Sequence, residues 1–255
     1  MMRALGYAAI GTLFTFLMTT LGAATVFLLG RRETGRSQEV MLGFAGGVMT
    51  AASVWSLLLP AIEQAEAGPL PAWLPAAAGI VTGAVFLAFL DALLPRLRRQ
   101  SQDAEHRRNA LLFTAITLHN IPEGMAVGLA FALAADGESL AGAVALAVGI
   151  GIQNFPEGAA ISLPMRQMGE SRLRSFVGGM LSGVVEPVFG MAAVLVAAGV
   201  SGLMPWLLSF AAGAMLYVVV EELVPEASQG AHSNLATIGF ALGFALMMVL
   251  DVVLG

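Results

Sequence analysis

Long apolar stretches constrain this chain more than any other feature of its sequence. Of its 255 residues, 58% are hydrophobic and only 11% are charged, whereas about a quarter of the residues in an average soluble domain are charged. A helix needs about 20 apolar residues to cross the hydrocarbon core of a bilayer. We therefore predict an all-α polytopic membrane protein with eight transmembrane helices. The predicted spans are residues 4–29, 38–65, 72–97, 109–135, 139–164, 172–200, 205–226 and 232–254.

The distribution of arginine predicts how these spans are oriented. All twelve basic residues are arginines, and eleven of them lie at the connections that follow the first, third and fifth spans. Because cytoplasmic connections are enriched in Lys and Arg, we expect these three connections in the cytoplasm. Arg3 alone indicates the opposite orientation. Both termini, and the turn with Asp136 and Glu138, are then expected outside.

An internal repeat relates the two ends of the chain. The third span aligns without gaps with the eighth at an offset of 160 residues, which pairs Asp91 with Asp251. The second span resembles the seventh, which pairs Met49 with Met215. An offset of five spans inverts the second copy, so we predict a 3+2+3 inverted-repeat arrangement, as in many transporters. A rival explanation is that helices rich in Ala, Gly and Leu align easily. The predicted parts of the single domain, residues 1–255, are repeat 1 at about 4–97, the central pair at 109–164 and inverted repeat 2 at about 172–254.

Two copies of one motif lie in the central pair of spans. The first reads H-N-I-P-E-G from His119, and the second reads Q-N-F-P-E-G from Gln153, 34 residues later. The four-residue spacing places His119 with Glu123, and Gln153 with Glu157, on one face of each helix. The proline in each motif is expected to kink its helix. Ionisable residues within a membrane indicate function, so the pattern predicts a midplane metal site. A histidine buried in the core and a proton relay without metal are the alternatives.

Other polar residues within the spans extend this candidate site. Glu186 precedes Pro187 in the sixth span and is a further candidate ligand, or a bridge between two cations. Asn120 and Asn154 either serve an adjacent second metal or form hydrogen bonds across helices. Met49 offers a thioether, although packing is the role expected of most methionines in this chain.

Carboxylates near the ends of the spans suggest a cation pathway. The candidate entrance residues are Glu63 and Asp251, at the predicted outer ends of the second and eighth spans. The candidate exit residues are Asp91, Glu221 and Glu222, near the predicted cytoplasmic ends of the third and seventh spans. These side chains either raise the local cation concentration or are solvated helix ends.

The paired motifs and the eight spans resemble the ZIP family of divalent metal transporters (zinc/iron permeases), especially its bacterial branch. The resemblance covers essentially the whole chain. It implies uptake of metal toward the cytoplasm, a homodimer, and a location in a bacterial inner membrane. It also implies a principal metal held by His119, Glu123, Gln153 and Glu157, with Met49 close by. A second position would be made by Asn120, Glu123, Asn154, Glu157 and Glu186.

Two departures from the family pattern affect these expectations. Some relatives have a carboxylate where this chain has Asn154, so the second position is expected to bind weakly or only to modulate transport. Many relatives carry a histidine-rich loop between the third and fourth spans. Here that loop offers only His106, which argues against metal sensing by this segment.

The predicted function is transport of a divalent cation, with one or two ions bound as substrate. Two carboxylates offset the charge of the ion, and the mixed donors suit Zn²⁺ or, alternatively, Fe²⁺, Mn²⁺, Co²⁺ or Cd²⁺. The chain is predicted not to be an enzyme and not to bind nucleic acid. The alternative is a membrane-embedded metallohydrolase, which needs a metal-activated water and a general base, and the sequence has no H-E-x-x-H motif. A receptor that binds metal without transporting it is a third candidate.

Overall fold

A computed structural model of the chain describes residues 1–28, 35–97, 104–137, 139–200, 202–228 and 234–254. Side chains are described for the same ranges except residues 35–38, 94–97, 104–112, 115 and 116. All regular structure within these ranges is helical, which confirms the predicted all-α fold. Glu138 lies outside the described residues, as do the side chain of His106 and the side chains of eight of the eleven arginines that predict the orientation.

The described residues form eight helical spans in the predicted order. The first four are Met2–Ala24 with a 3-10 turn at Thr25–Phe27; Gly35–Ala52 with a π-helical turn at Ser53–Leu58 and a helix at Leu59–Glu66; Trp73–Leu97; and Ala104–Asp136. The last four are Leu140–Gln167; Arg172–Gly183 with Val185–Gly199; Met204–Val218 with a π-helical turn at Val219–Leu223 and a helix at Val224–Ala227; and Leu235–Leu254.

Seven of these spans, all except the fourth, are long and apolar enough to cross a membrane, judged by length and composition over the described residues. The fourth span is a 33-residue helix. Its middle carries His119, Asn120 and Glu123, and these polar residues lower its mean hydropathy. The fold is therefore that of a polytopic membrane protein, and the least apolar span is the one that carries the first motif.

Proline interrupts the sixth span next to a candidate ligand. Pro187 has no N–H, and its ring clashes with the carbonyl of Gly183, four residues earlier. The helix accordingly ends at Gly183 and begins again at Val185. This break places Glu186 in the first turn of the new helix. The prolines of the two motifs behave differently, because they lie inside helices that continue past them.

The second and seventh spans each contain a π-helical turn just before a proline. In these turns a backbone N–H reaches the carbonyl five residues earlier, Leu59 to Val54 in the second span and Val224 to Val219 in the seventh. Such turns insert one extra residue into a helix and often occur at functional sites. The extra residue rotates the part of the helix that follows the turn, so different side chains face the neighbouring spans there.

Glycines let two pairs of spans approach closely, the second with the eighth and the third with the seventh. At each of these glycines a side chain would collide with the backbone of the other helix. The contacts are Gly47 with Phe240 and Gly243 with Phe44 in the first pair, and Gly213 with Ile80 and Gly83 with Phe210 in the second. Offsets of 166 residues for the second and seventh spans, and of 160 for the third and eighth, convert one set of contacts into the other.

The remaining spans surround the two motifs. The first span packs along the fifth, the second half of the sixth packs along the fourth, and the first also contacts the fourth and sixth. On their other side, the fourth span contacts the seventh, and the fifth span contacts the second and eighth. The two motif-bearing spans are thus enclosed by the rest of the molecule.

Candidate metal site

All eight residues that the sequence assigns to the metal site are buried. None of them exposes more than 5% of its surface. They lie on four spans: Met49 on the second; His119, Asn120 and Glu123 on the fourth; Gln153, Asn154 and Glu157 on the fifth; and Glu186 on the sixth. Burial of so many polar groups requires either mutual hydrogen bonds or a bound ion.

Two direct hydrogen bonds join three of these spans. Nε2 of Gln153 donates to Oε1 of Glu123 at 2.6 Å, which links the two motifs. Nδ2 of Asn154 donates to Oε2 of Glu186 at 3.0 Å, which links the second motif to the sixth span. The structure therefore brings together these four predicted ligands in one buried cluster.

Asn120 is held by the break in the sixth span. Its Nδ2 donates at 2.9 Å to the carbonyl of Ser182, one residue before the helix ends at Gly183. The interhelical role that the sequence left open for Asn120 is thus observed for its nitrogen. Its Oδ1 atom is left for another partner.

His119 contacts a residue that the sequence assigned to the exit of the pathway. Its Nε2 lies 2.5 Å from Oε1 of Glu222. Glu222 belongs to the π-helical turn of the seventh span, and its side chain is 28% exposed. The structure thus connects the first motif directly to the predicted exit, and sequence reasoning missed this contact.

Four oxygen atoms of the cluster are buried without a hydrogen-bond partner among the described residues. They are Oδ1 of Asn120, Oε2 of Glu123, Oε1 of Gln153 and Oε2 of Glu157. Leaving a buried acceptor unsatisfied costs about 1–3 kcal/mol, and more when it is charged. All four are lone-pair donors, and two of them belong to carboxylates. A divalent cation is the partner that would satisfy such a set.

The cluster differs from a preformed cage of ionisable ligands. Among the described side chains, no group of three or more histidines, aspartates and glutamates is arranged to hold a metal ion. The hydrogen bonds of the cluster instead join a carboxylate to a carboxamide, Glu123 to Gln153 and Glu186 to Asn154. Several of these side chains would have to move to enclose an ion.

The last residue of each motif has a role that the sequence did not indicate. A side chain at Gly124 would collide with the backbone of Glu186, and one at Gly158 would collide with the backbone of Thr19. These glycines let the sixth and first spans lie directly against the motifs. The sequence showed that a glycine ends both motifs, but it did not show which span lies against each glycine.

The two predicted entrance residues line one cavity. Glu63 and Asp251 face a space of about 240 Å³ that also touches Trp55 and Ala130. Oγ of Ser56 donates to Oδ1 of Asp251 at 2.6 Å. Because a helix rises about 1.5 Å per residue, Ala130 lies roughly 10 Å along the fourth span from Glu123. The cavity therefore lies farther along the fourth span, and none of the eight predicted metal-site residues lines it.

The other predicted residues are placed as follows. The Tyr217 hydroxyl donates to Oδ2 of Asp91 at 3.4 Å, and Glu221 is exposed on the π-helical turn that also carries Glu222. Met49 is fully buried in the apolar core with Met215. The core position of Met49 agrees with packing, and its role toward a metal stays a prediction.

The fold and the cluster define a class of protein: a polytopic helical membrane protein with acidic and amide side chains gathered in its interior. The family described as ZIP Zinc transporter matches residues 100–251. The chain is 35% identical to Zinc transporter ZIP11 of Homo sapiens, over 97% of each chain. It is 39% identical to Zinc transporter GufA of Myxococcus xanthus, over 98% of this chain and 100% of that protein. It is 38% identical to Zinc transporter ZIPB of Bordetella bronchiseptica, over 98% of this chain and 82% of that protein. The chain belongs to the ZIP family.

The matches confirm the resemblance seen in the two motifs. They also confirm that the chain is a member of a transporter family rather than an enzyme, and they agree with an integral membrane protein. Bacterial proteins are among the similar chains, as the resemblance to the bacterial branch implies.

Proposed function

We propose that this chain transports a divalent metal ion, Zn²⁺ in the first place, across the membrane through the buried cluster on the fourth and fifth spans. The observation that carries the proposal is the set of four buried oxygen atoms without partners, contributed by both motifs. The similar proteins named as zinc transporters support the choice of substrate. Fe²⁺, Mn²⁺, Co²⁺ and Cd²⁺ are alternative substrates with compatible ligand preferences.

The charge of the cluster suits a divalent ion. Glu123 and Glu157 together offset two positive charges, which lowers the cost of removing the ion from water. The carboxamide of Gln153 and the imidazole of His119 add neutral donors. We assign the principal metal to these four residues, with Met49 as a further candidate donor.

A second, weaker position lies toward the sixth span. Its candidate ligands are Asn120, Glu123, Asn154, Glu157 and Glu186. Two divalent ions would face only three carboxylates, those of Glu123, Glu157 and Glu186, which leaves an excess charge of about +1. Repulsion between the ions is strong at short distance in a low-dielectric interior, so the second ion should bind more weakly than the first.

The packing of the spans supports the proposed inverted repeat. The glycine contacts between the second and eighth spans correspond, residue by residue, to those between the third and seventh. The two π-helical turns also correspond, because 166 residues separate Ser53 from Val219. An inverted repeat gives the molecule two related halves, which is a common basis of alternating access in transporters.

We propose that metal moves from the cavity of Glu63 and Asp251, through the cluster, toward Glu222, Glu221 and Asp91. The arginine distribution makes the first end external and the second cytoplasmic. The direction is then uptake, with both termini outside and the protein in a bacterial inner membrane. The homodimer implied by the family resemblance is part of the same proposal, and cross-linking in native membranes tests it.

Flux into proteoliposomes tests the proposed function. Purified protein should carry Zn²⁺ into vesicles, and Glu123→Ala or Glu157→Ala should reduce flux to background, because each leaves an uncompensated positive charge at the loaded site. Glu170→Ala is the control, since it removes a carboxylate that contacts Arg174 outside the cluster. Full flux in either folded site variant would refute the site. Metal binding without flux in the wild type would instead favour a receptor.

A further inference from the structure

The first span carries three buried threonines on the side that faces the cluster. Thr12, Thr15 and Thr19 are fully buried. The hydroxyl of Thr12 donates to its own helix, at the carbonyl of Ala8, and that of Thr15 donates to the carbonyl of Thr12. Oγ1 of Thr19 lies 3.0 Å from Oε1 of Glu186 on the sixth span, and the Thr15 hydroxyl is a further partner of the same carboxylate. A hydroxyl that bonds a carboxylate across helices indicates a role beyond packing.

The two oxygens of Glu186 are occupied by different donors. Oε1 accepts from Thr19 and Oε2 accepts from Asn154, both at 3.0 Å. By contrast, Glu123 and Glu157 each keep one buried oxygen without a partner among the described residues. Glu186 is therefore the carboxylate of the cluster with a hydrogen-bond donor at each of its two oxygens.

Thr19 and Glu186 also occupy matching places beside the two motifs. The backbone of Glu186 covers Gly124, the last residue of the first motif, and the backbone of Thr19 covers Gly158, the last residue of the second. The two spans that lie against the motif glycines are thus joined to each other by the hydrogen bond between Thr19 and Glu186. Thr19 therefore contacts both a motif glycine and a candidate metal ligand, which distinguishes it from residues that only pack in the core.

We propose that Thr19 is a positioning residue that sets the affinity of the second metal position by orienting Glu186. This inference rests on the proposed function, because it takes Glu186 to be a metal ligand. It adds a residue that neither the motifs nor the family resemblance assigned to the site.

The chemistry of a carboxylate allows this arrangement. Each carboxylate oxygen offers two acceptor sites, so Thr19 can keep its hydrogen bond while the same carboxylate binds a cation. Partners that orient a metal ligand typically change metal affinity by about 10–100-fold when they are removed. If the hydroxyl turns away, the carbonyl of Thr15, 3.3 Å from Oγ1, is a second acceptor for it.

Metal titration of purified protein with Zn²⁺ tests the inference. Thr19→Val keeps the shape and removes the hydroxyl, and it should weaken the second position about tenfold while leaving the first nearly unchanged. Thr19→Ser should restore wild-type affinity. Thr12→Val is the matched control. Among the described residues, the Thr12 hydroxyl bonds only to backbone carbonyls of its own helix, so this variant should change the affinity of neither metal position. Should Thr19→Val fail to fold, Thr19→Ala carries the same expectation.

The outcomes separate this inference from the proposed function. Unchanged affinity at the second position in Thr19→Val, or equal weakening of both positions that Thr19→Ser does not rescue, overturns the role of Thr19 and leaves transport standing. If the wild type binds only one ion and Glu186→Gln does not alter it, Glu186 is no ligand and the inference fails. Absence of Zn²⁺ flux in the wild type is the separate result that would reject the proposed function.

Discussion

Asn154 joins the second motif to the sixth span through a hydrogen bond. Its Nδ2 donates to Oε2 of Glu186, and its Oδ1 lies 3.5 Å from Nε2 of Gln153. The neutral carboxamide thus donates a hydrogen bond to Glu186 at a position where a second carboxylate would face it. In a buried setting, two adjacent carboxylates without a cation repel each other strongly. Under the proposed second metal position, the residue at this place balances the stability of the metal-free protein against the affinity for the second ion.

Asn154→Asp should reverse that balance. The metal-free protein should melt at a lower temperature, because a donor to Glu186 becomes a second carboxylate. The second ion should bind more tightly, so stabilisation by Zn²⁺ should increase with concentration more steeply than in the wild type. Thermal unfolding over a series of Zn²⁺ concentrations measures both effects. A variant as stable as the wild type without metal would show that the two side chains do not interact as described.

At the scale of helical elements, glycines decide how closely the first and sixth spans approach the motifs. Gly124 and Gly158 each face backbone atoms of the neighbouring span. A clash with backbone cannot be relieved by rotating a side chain, so the helices themselves would have to separate. Because the same spans position Thr19 and Glu186, their separation would also disturb the site.

Gly158→Ala and Gly124→Ala should therefore destabilise the protein, by about 1–3 kcal/mol if overpacking in soluble cores is a guide. This exceeds the gain in helix propensity of up to about 1 kcal/mol. Gly6→Ala is the control, since no atom lies within 4 Å of the added methyl group, and it should be neutral or stabilising. Thermal unfolding in detergent compares the three variants. Equal stability of Gly158→Ala and Gly6→Ala would contradict the close contact with Thr19.

At the scale of the whole molecule, the alternation of arginine-rich connections predicts an orientation that cysteine labelling can test. The chain has no cysteine, so every label reports the introduced residue. Ser101→Cys and Met168→Cys should be labelled only from the cytoplasm, and Asp136→Cys only from outside. Asp136 is preferred to Gly137 because Gly137 has a φ of 121°, which strains other residues.

The cysteine-free parent gives the background of the labelling reaction. A variant is interpreted only if it retains Zn²⁺ flux, which shows that it is folded. Modification of Asp136→Cys from the cytoplasmic side alone would invert the proposed orientation. The direction of transport would then have to be assigned again, while the site itself would be unaffected.

The sequence alone determined the class of fold and the identity of the central motifs. Low charge and span-length apolar runs leave a chain few options besides membrane helices, since each backbone polar group must be satisfied within the segment. The spacing H-x-x-x-E and Q-x-x-x-E is local, so helix geometry alone places each pair on one face. The break in the sixth span was not predicted, because Pro122 and Pro156 lie within unbroken helices while the helix before Pro187 is interrupted, so proline alone does not decide the outcome.

Only the tertiary structure decided which residues meet across spans. His119 lies 103 residues from Glu222, and Thr19 lies 167 residues from Glu186. No local rule connects such positions, because their contact depends on how helices cross and on the extra residue in the π-helical turn. Burial of the four oxygen atoms without partners is likewise a property of the packed molecule. A sequence can name the donors of a site, but packing determines which of them remain free for an ion.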